Sequence, residues 1–243
     1  MNELPTTIFA HRGASSLAPE NTMPSFKLAY ELGAEGIETD VHLTRDNETV
    51  LMHDEHLKRT TNGHGYIKNF TYEQLQKLDA GSWFSSDYAG VSILTLGTLL
   101  NWVRNKSLYL NLELKNNKID YKYLEHLVYE QVKQYRLTNR TILSTSNPHS
   151  IKRLRLLSDS PNIGFLRSKR AKNLVGYTEK LGAGSLHINH RLLSPRLLRQ
   201  SDEANMPLRV YTVNRPDIMR RCFQSGCDAI ITDVPHTALE QRK

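Results

Sequence analysis

Ionisable side chains recur two positions apart in two short segments that lie far apart in the 243-residue chain. Glu38 and Asp40 stand in GIETDV (residues 36–41), and Glu113 and Lys115 stand in NLELK (residues 111–115). Side chains alternate along a β-strand, so each pair would share one face of its strand. Burying three carboxylates and a lysine among apolar residues is costly unless they bind ions of opposite charge. The pattern therefore predicts a metal site beside a phosphate site.

The three carboxylates define the kind of ion. Oxygen ligands such as those of Glu38, Asp40 and Glu113 suit one hard divalent cation, Mg²⁺ or Ca²⁺, better than zinc, which prefers histidine and cysteine. The alternative is that these acids pair with lysine or arginine, which is the commoner role of isolated acids in strands. Both interpretations stay open at this point.

Two histidines lie at the ends of predicted strands, His11 and His53. Histidine titrates near neutral pH, so one could deprotonate a nucleophile while the other protonates a leaving oxygen. Arg12 offers a planar fork of donors for two phosphate oxygens, and Lys115 offers a point charge beside the metal site. The expected chemistry is acid/base catalysis at a phosphate.

Short β-rich runs alternate with amphipathic helical runs along the chain, as in sheets built from β-α units. Eight strands are predicted, at residues 8–11, 36–43, 108–114, 141–146, 162–166, 185–189, 208–213 and 229–232. Eight strands in a chain of 243 residues indicate an α/β fold, a (β/α)8 TIM barrel. Active sites of such barrels gather at the C-terminal ends of the strands, where His11, Glu38, Asp40 and Glu113 fall.

Turn residues set the limits of two helices and leave one long connection. Thr22 and Gly33 flank a helix at residues 23–32, and Gly226 closes a helix at 216–225. Residues 54–94 are too long for a simple loop, so we expect a small inserted subdomain after the second strand, with an extended second strand or a hairpin around 49–54 before it and a helix near 72–78. Residues 1–243 are expected to form a single barrel domain that includes this insertion.

The charge is basic and uneven. The net charge is +7, and residues 122–243 carry 21 of the 32 Lys and Arg but only 10 of the 25 Asp and Glu. We predict no nucleic-acid partner, because no zinc-finger spacing, aromatic RNA-binding motif or basic tail occurs; peripheral contact with an anionic lipid or polymer stays open. No apolar run could cross a bilayer, and the first residues lack the charge of a signal peptide, so the expected location is cytoplasmic.

Several motifs, taken in order, carry a family resemblance. They are AHRGA (10–14), APENT (18–22), GIETDV (36–41), HD (53–54), RTT (59–61), LDAGSWF (78–84), LELK (112–115) and GCDAIITD (226–233). Their order and spacing resemble those of the glycerophosphodiester phosphodiesterase family. The resemblance implies a hydrolase that cleaves glycerophosphodiesters to sn-glycerol 3-phosphate and an alcohol through a cyclic phosphate, in lipid and glycerol metabolism.

The resemblance also implies roles for individual residues. It implies a divalent ion at Glu38, Asp40 and Glu113, an acid/base pair at His11 and His53, and phosphate binding by Arg12 and Lys115. One departure concerns Tyr211, which stands where the family commonly has tryptophan; it is expected to contact the substrate, with ordinary core packing as the alternative. Trp83 is expected to line the substrate entrance, and the alternative is that it belongs to the core of the inserted subdomain.

Two other functions remain as alternatives. The same chemistry could act on lysophospholipids or on polyglycerol phosphate, which the basic C-terminal half would suit. A barrel that only binds a phosphate ligand is the alternative from a different class.

Overall fold

The described residues, 6–158 and 161–243 of a computed structural model, form one nine-stranded sheet. Its strands are β1 (Thr7–His11), β2 (Gly36–Leu43), β3 (Thr49–Leu51), β4 (Tyr109–Leu114), β5 (Thr141–Thr145), β6 (Asn162–Arg167), β7 (Ser185–Asn189), β8 (Leu208–Tyr211) and β9 (Ala229–Thr232). All strands except β3 pair in parallel, and β1 pairs with both β9 and β2, which closes a barrel of eight. The predicted (β/α)8 barrel is confirmed.

Helices cover the outside of this barrel. They are α1 (Met23–Glu31), α2 (Tyr72–Leu75), α3 (Leu96–Val103), α4 (Leu124–Gln134), α5 (Pro148–Arg155), α6 (Leu174–Leu181), α7 (Pro195–Glu203), α8 (Pro216–Gln224) and α9 (Pro235–Arg242). The main apolar core lies between helices and strands, because the strands of a parallel barrel are buried on both faces. The glycines predicted to end α1 and α8, Gly33 and Gly226, have φ of +89° and +68°, as helix-terminating residues require.

A separate apolar cluster fills the inside of the barrel. Phe9, Ile142, Ala229 and Ile231 form it, and Tyr211 packs against it from above. Gly36 makes room for this packing, since a Cβ at that position would lie 2.5 Å from the Phe9 ring. The barrel is therefore filled beneath the point where the acidic residues of β2 emerge.

The long connection between β3 and α3 has apolar residues of its own. Leu57, Ile67, Leu75 and Ala80 cluster with residues of β3 and with Ile93, and all are nearly inaccessible. β3 pairs antiparallel with β2, so this connection starts beside the barrel rim. The assignment of residues 54–94 as an inserted subdomain, within one domain of 1–243, stays a prediction.

A few boundaries were predicted wrongly. β5 ends at Thr145, because the Asn147 N–H turns back to the Thr145 hydroxyl at 3.1 Å and the Asn147 side chain caps α5. β8 ends at Tyr211 instead of residue 213, and the helix expected at 72–78 is the single turn of α2.

Two observations concern the membrane and the N-terminus. Among the residues described, no helix combines the length and the apolar character needed to span a bilayer. Residues 1–5, on which much of the predicted location rested, lie outside the described residues.

Candidate active site

Neighbouring strands bring the predicted acidic residues to one end of the barrel. His11, the last residue of β1, pairs in register with Glu38 of β2. Two residues further along β2, Asp40 pairs in register with Glu113 of β4. Since parallel strands end at the same rim, the period-two spacing places these side chains next to one another.

Glu38, Asp40 and Glu113 form a compact cluster, which we call the acidic cluster. Each offers a carboxylate oxygen, and these oxygens all lie within 4.8 Å of one another. Lys115 Nζ lies 3.1 Å from Glu113 Oε1 and 3.4 Å from Asp40 Oδ1, and Arg12 Nε lies 3.3 Å from Asp40 Oδ2. The predicted phosphate-binding residues thus lie directly beside the predicted metal ligands.

Lys115 and Arg12 stabilise the charged forms of the three acids unequally. Burial opposes ionisation of Asp40, but Lys115 and Arg12 outweigh it and hold its pKa well below the usual range. Burial, together with the charge of Asp40, raises the pKa of Glu38 to about 8. No Lys or Arg side chain within the described residues forms an ion pair with Glu38, although this residue is only 3% exposed. Glu38 therefore favours its protonated form at neutral pH, because its charged form would have no Lys or Arg ion-pair partner.

This arrangement fits a divalent cation. Three carboxylates supply hard oxygen ligands, and the Asn21 amide donates to Asp40 Oδ2 at 3.0 Å, which fixes that ligand in place. A cation in contact with Glu38 would supply the charge that this buried acid lacks. The acidic cluster could thus hold a metal. Pairing with Lys and Arg explains the burial of Asp40 but not that of Glu38.

His11 is held by an aspartate from the last strand. Its Nδ1 lies 2.5 Å from Asp233 Oδ1, and Asp233 also accepts from the Ser15 hydroxyl at 3.0 Å. Burial opposes protonation of His11, but Asp233 and Glu38 outweigh it and raise the His11 pKa. Burial of Asp233 is likewise outweighed by the His11 hydrogen bond, which lowers the Asp233 pKa to about 2. Because Nδ1 faces Asp233, Nε2 is the nitrogen that faces the acidic cluster, 3.9 Å from Glu38.

His53 is held in a similar way by its neighbour in sequence. Its Nδ1 lies 2.7 Å from Asp54 Oδ1, and Asp54 Oδ2 accepts from Arg59 Nε at 2.8 Å. Arg59 also donates to both oxygens of Glu20, at 2.7 and 2.8 Å, and Glu20 accepts from Arg12 at 2.9 Å. One chain of alternating charges thus joins His53 to Arg12.

A cleft of about 200 Å³ opens beside these groups, and its walls include His53, Glu113 and Lys115. Tyr211 lies close by. Its pKa is raised by burial and, to a lesser degree, by the charge of Glu113. The structure therefore brings together the predicted metal, phosphate and acid/base residues, with Tyr211 beneath them.

Trp83 is placed differently. Its indole N–H donates to the Ala80 carbonyl at 3.0 Å and its ring meets Phe84 edge-on, with 39% of the residue exposed. These contacts lie within the 54–94 connection, and the expected contact of Trp83 with substrate stays a prediction.

Sequence reasoning missed the residues that hold the two histidines. Asp233, Asp54, Glu20 and Arg59 all stand in the motifs that carry the family resemblance, but they were given no role. Asp233 follows directly after β9, so its position at a strand end was an available signal.

Comparisons with known proteins agree with this geometry. The family model described as the glycerophosphoryl diester phosphodiesterase family matches residues 11–237. The chain is 37% identical to a glycerophosphodiester phosphodiesterase of Caldanaerobacter subterraneus, over 96% of each chain. It is 32% identical to a glycerophosphodiester phosphodiesterase of Bacillus altitudinis, over 98% of each chain.

A solved structure is also similar. A phosphodiesterase of Oleispira antarctica, determined in complex with the product sn-glycerol 3-phosphate, aligns with a TM-score of 0.89 and 29% identity. The alignment covers 98% of this chain and 96% of that one.

The burial of Glu38 without a Lys or Arg ion pair predicts a pH-dependent stability difference. Because the Glu38 pKa rises from 4.5 to about 8 on folding, the folded protein keeps a proton that the unfolded chain releases. Stability from this group is therefore lost as pH rises through that window. Glu38→Gln has no such proton, so the variant does not lose this stability as pH rises. The unfolding free energy of the variant minus that of wild type should therefore increase with pH, by at most about 1.4 kcal/mol per pH unit.

Urea denaturation with a chelator present, at several pH values between 5 and 8, measures this difference. Exposed Glu73 supplies the matched control, Glu73→Gln, which should show no such trend. A Glu38→Gln difference that stays constant with pH would contradict the charge imbalance. Added Ca²⁺ or Mg²⁺ should stabilise wild type and have a much smaller effect on Glu38→Gln.

Proposed function

The chain belongs to the glycerophosphoryl diester phosphodiesterase family, and we propose that it hydrolyses glycerophosphodiesters to sn-glycerol 3-phosphate and an alcohol. The observation that supports this most is the buried acidic cluster, flanked by two cations and by two histidines that are each bonded to an aspartate. The product bound to the Oleispira antarctica relative is the one that this reaction would release.

One divalent cation, Mg²⁺ or Ca²⁺, would be held by Glu38, Asp40 and Glu113. When bound, it would offset charge on the phosphoryl oxygens and orient the attacking hydroxyl. Asn21, which donates to Asp40, would keep that ligand oriented.

Arg12 and Lys115 would bind the phosphate. Arg12 is held in place by Glu20 and Asp40, so its guanidinium is ordered before substrate arrives. Burial opposes protonation of Lys115, but Glu113 and Asp40 outweigh it and raise its pKa, so the ammonium stays charged at neutral pH. Both cations would therefore be ready to neutralise a phosphodiester in a site shielded from water.

Acid/base catalysis would proceed in two steps. In the first, one histidine takes the proton of the glycerol 2-hydroxyl as its oxygen attacks phosphorus, and the other protonates the departing alcohol. A cyclic phosphate results. In the second, the roles reverse: water attacks the cyclic phosphate, and the ring opens to sn-glycerol 3-phosphate. His11 and His53 suit these roles because each has Nδ1 bonded to a carboxylate and Nε2 left to exchange protons with substrate.

Tyr211 would contact the glycerol moiety. It lies in the barrel above Phe9 and Ile231, and the charge of Glu113 reaches its hydroxyl. A tyrosine offers less apolar surface than a tryptophan and adds a hydroxyl, so it would favour a polar contact at this position.

A metal add-back assay tests the proposed function. Purified protein is stripped of metal and incubated with glycerophosphocholine, and sn-glycerol 3-phosphate is measured before and after Mg²⁺ or Ca²⁺ is added. We expect product only with metal, no product from Glu38→Ala, and turnover at least on the order of 100-fold lower in His11→Ala and His53→Ala. Full turnover in folded, metal-loaded His11→Ala would refute its role, and metal binding without any product would favour a barrel that only binds its ligand.

The hydrogen bond between His11 and Asp233 predicts a second effect on turnover. Asp233→Asn leaves His11 without the carboxylate that fixes its tautomer and stabilises its charged form, so kcat should fall on the order of 100-fold. KM and metal affinity should change little, because Asp233 contacts neither the acidic cluster nor the phosphate-binding cations. Exposed Asp217 provides the matched control, Asp217→Asn, for which wild-type kcat is expected. Wild-type kcat in Asp233→Asn would show that His11 needs no orienting carboxylate.

A further inference from the structure

One buried histidine beside the proposed active site has no part in the two catalytic steps. His42 continues the row of side chains on β2 that begins with Glu38 and Asp40, two positions beyond Asp40. It is 0% exposed and forms no ion pair with any carboxylate that the structure describes. Because a buried cation without an anion is costly, the ring is neutral, with one nitrogen that donates and one that accepts.

The contacts of His42 determine which nitrogen carries the hydrogen. Its Nε2 lies 3.3 Å from the carbonyl oxygen of His53, and its Nδ1 lies 3.1 Å from the Tyr121 hydroxyl. A carbonyl oxygen can only accept, so Nε2 carries the hydrogen and donates it to His53. Nδ1 is then the acceptor, and the Tyr121 hydroxyl donates to it. With the Tyr121 ring edge-on at 5.8 Å between centroids, the imidazole is fixed in position as well as in tautomer.

Tyr121 is held in its turn by the segment that follows β4. Asn116 Oδ1 accepts from the Tyr121 backbone N–H at 2.6 Å, and Asn116 Nδ2 donates to the Tyr121 carbonyl at 3.2 Å. Asn116 comes directly after Lys115 and is 1% exposed. His42 therefore connects the segment that carries His53 with the segment that carries Lys115.

The backbone of His53 depends on such contacts more than that of His11 does. His11 is part of a barrel strand, so strand pairing fixes its backbone, whereas His53 lies two residues after the end of β3. The side chain of His53 is also more exposed, at 35% against 17% for His11. Asp54 orients the His53 ring, but it is the next residue in the chain and would move with it. The hydrogen bond from His42 ties the His53 backbone directly to β2.

We propose that His42 is a positioning residue that acts on the reaction through His53. By donating to the His53 carbonyl, it keeps the His53 imidazole at the distance from the substrate that proton transfer requires. This inference rests on the proposed function and adds a residue to it. Because His42 is completely buried, it does not touch substrate itself, so its loss should lower kcat and leave KM nearly unchanged.

Two substitutions separate the hydrogen bond from the packing of the ring. His42→Leu loses the donor, whereas His42→Gln places a side-chain amide where Nε2–H was, and that amide can donate to the same carbonyl. With glycerophosphocholine as substrate, we expect kcat to fall on the order of tenfold in His42→Leu and to be largely restored in His42→Gln. KM and Ca²⁺ affinity should be nearly equal in wild type and in both variants.

A double substitution tests whether His42 acts through His53. If it does, His42→Leu should have no further effect on the residual kcat of His53→Ala, because the group that it positions is gone. The same loss in both backgrounds would mean that His42 only supports the fold, and the proposal would be wrong. An unchanged kcat in His42→Leu, or equal losses in His42→Leu and His42→Gln, would overturn it as well.

Thr178 supplies a matched control for the loss of a buried hydrogen bond. It is 0% exposed in α6, and its hydroxyl donates to the Leu174 carbonyl at 2.8 Å. Thr178→Val should lower the free energy of unfolding but leave kcat at the wild-type value. A fall in the kcat of Thr178→Val as large as that in His42→Leu would show that turnover follows stability, which refutes the positioning role.

Hydrogen exchange keeps this test separate from the proposed function. The backbone amides of residues 51–56 should exchange faster in His42→Leu than in wild type or in His42→Gln, whether or not the protein is active. Wild type that cleaves no glycerophosphodiester would refute the proposed function, and exchange would still decide whether His42 holds this segment. Unchanged exchange in His42→Leu would refute the positioning role alone.

Discussion

The burial of like charges at the end of β2 is the constraint on which the rest of the site depends. Glu38 and Asp40 are 3% and 1% exposed and lie on one face of one strand. Two carboxylates so placed cannot both ionise without nearby positive charge, because the low dielectric strengthens their repulsion. Arg12 and Lys115 supply that charge to Asp40. Glu38 has no Lys or Arg partner, only His11 Nε2 at 3.9 Å, which is the physical reason for expecting a cation there.

The same requirement ties distant segments to the barrel. Arg12 needs Glu20 as well as Asp40, Glu20 binds Arg59, and Arg59 binds Asp54. Arg59 and Asp54 belong to the long connection after β3, so these ion pairs join the connection to the loop after β1. Each of these charged groups has two partners, so removing one would weaken the hold on its neighbours without leaving any of them unpaired. His53, the proposed acid/base residue, is thereby positioned by the same charges that position Arg12, the proposed phosphate-binding residue.

The sequence predicted the barrel and the acidic cluster for the same reason. Both follow from local periodicity: alternation places Glu38 and Asp40 on one face, and parallel strands bring that face beside Glu113. The family resemblance, which the comparisons confirm, added the roles of the histidines. Local patterns do not predict contacts that form only when the barrel closes. Asp233 binds His11 across 222 positions, and no spacing rule predicts which of many acids will make such a contact.

The distribution of the basic residues marks a different limit of sequence reasoning. The excess of Lys and Arg in the C-terminal half was evident, but helices present charges all around the barrel, and the sequence does not say which of them converge. The segments after β6 and β7 bring Arg170, Lys172, Arg191 and Arg196 together in one groove, which only the fold could show.

A crystal structure of the protein grown with Ca²⁺ and sn-glycerol 3-phosphate tests the central claim most directly. The account predicts one cation in contact with Glu38, Asp40 and Glu113, with the phosphate beside it on Arg12 and Lys115. A cation bound elsewhere, or a phosphate that avoids both of these side chains while Glu38 remains without a positive partner, would contradict it.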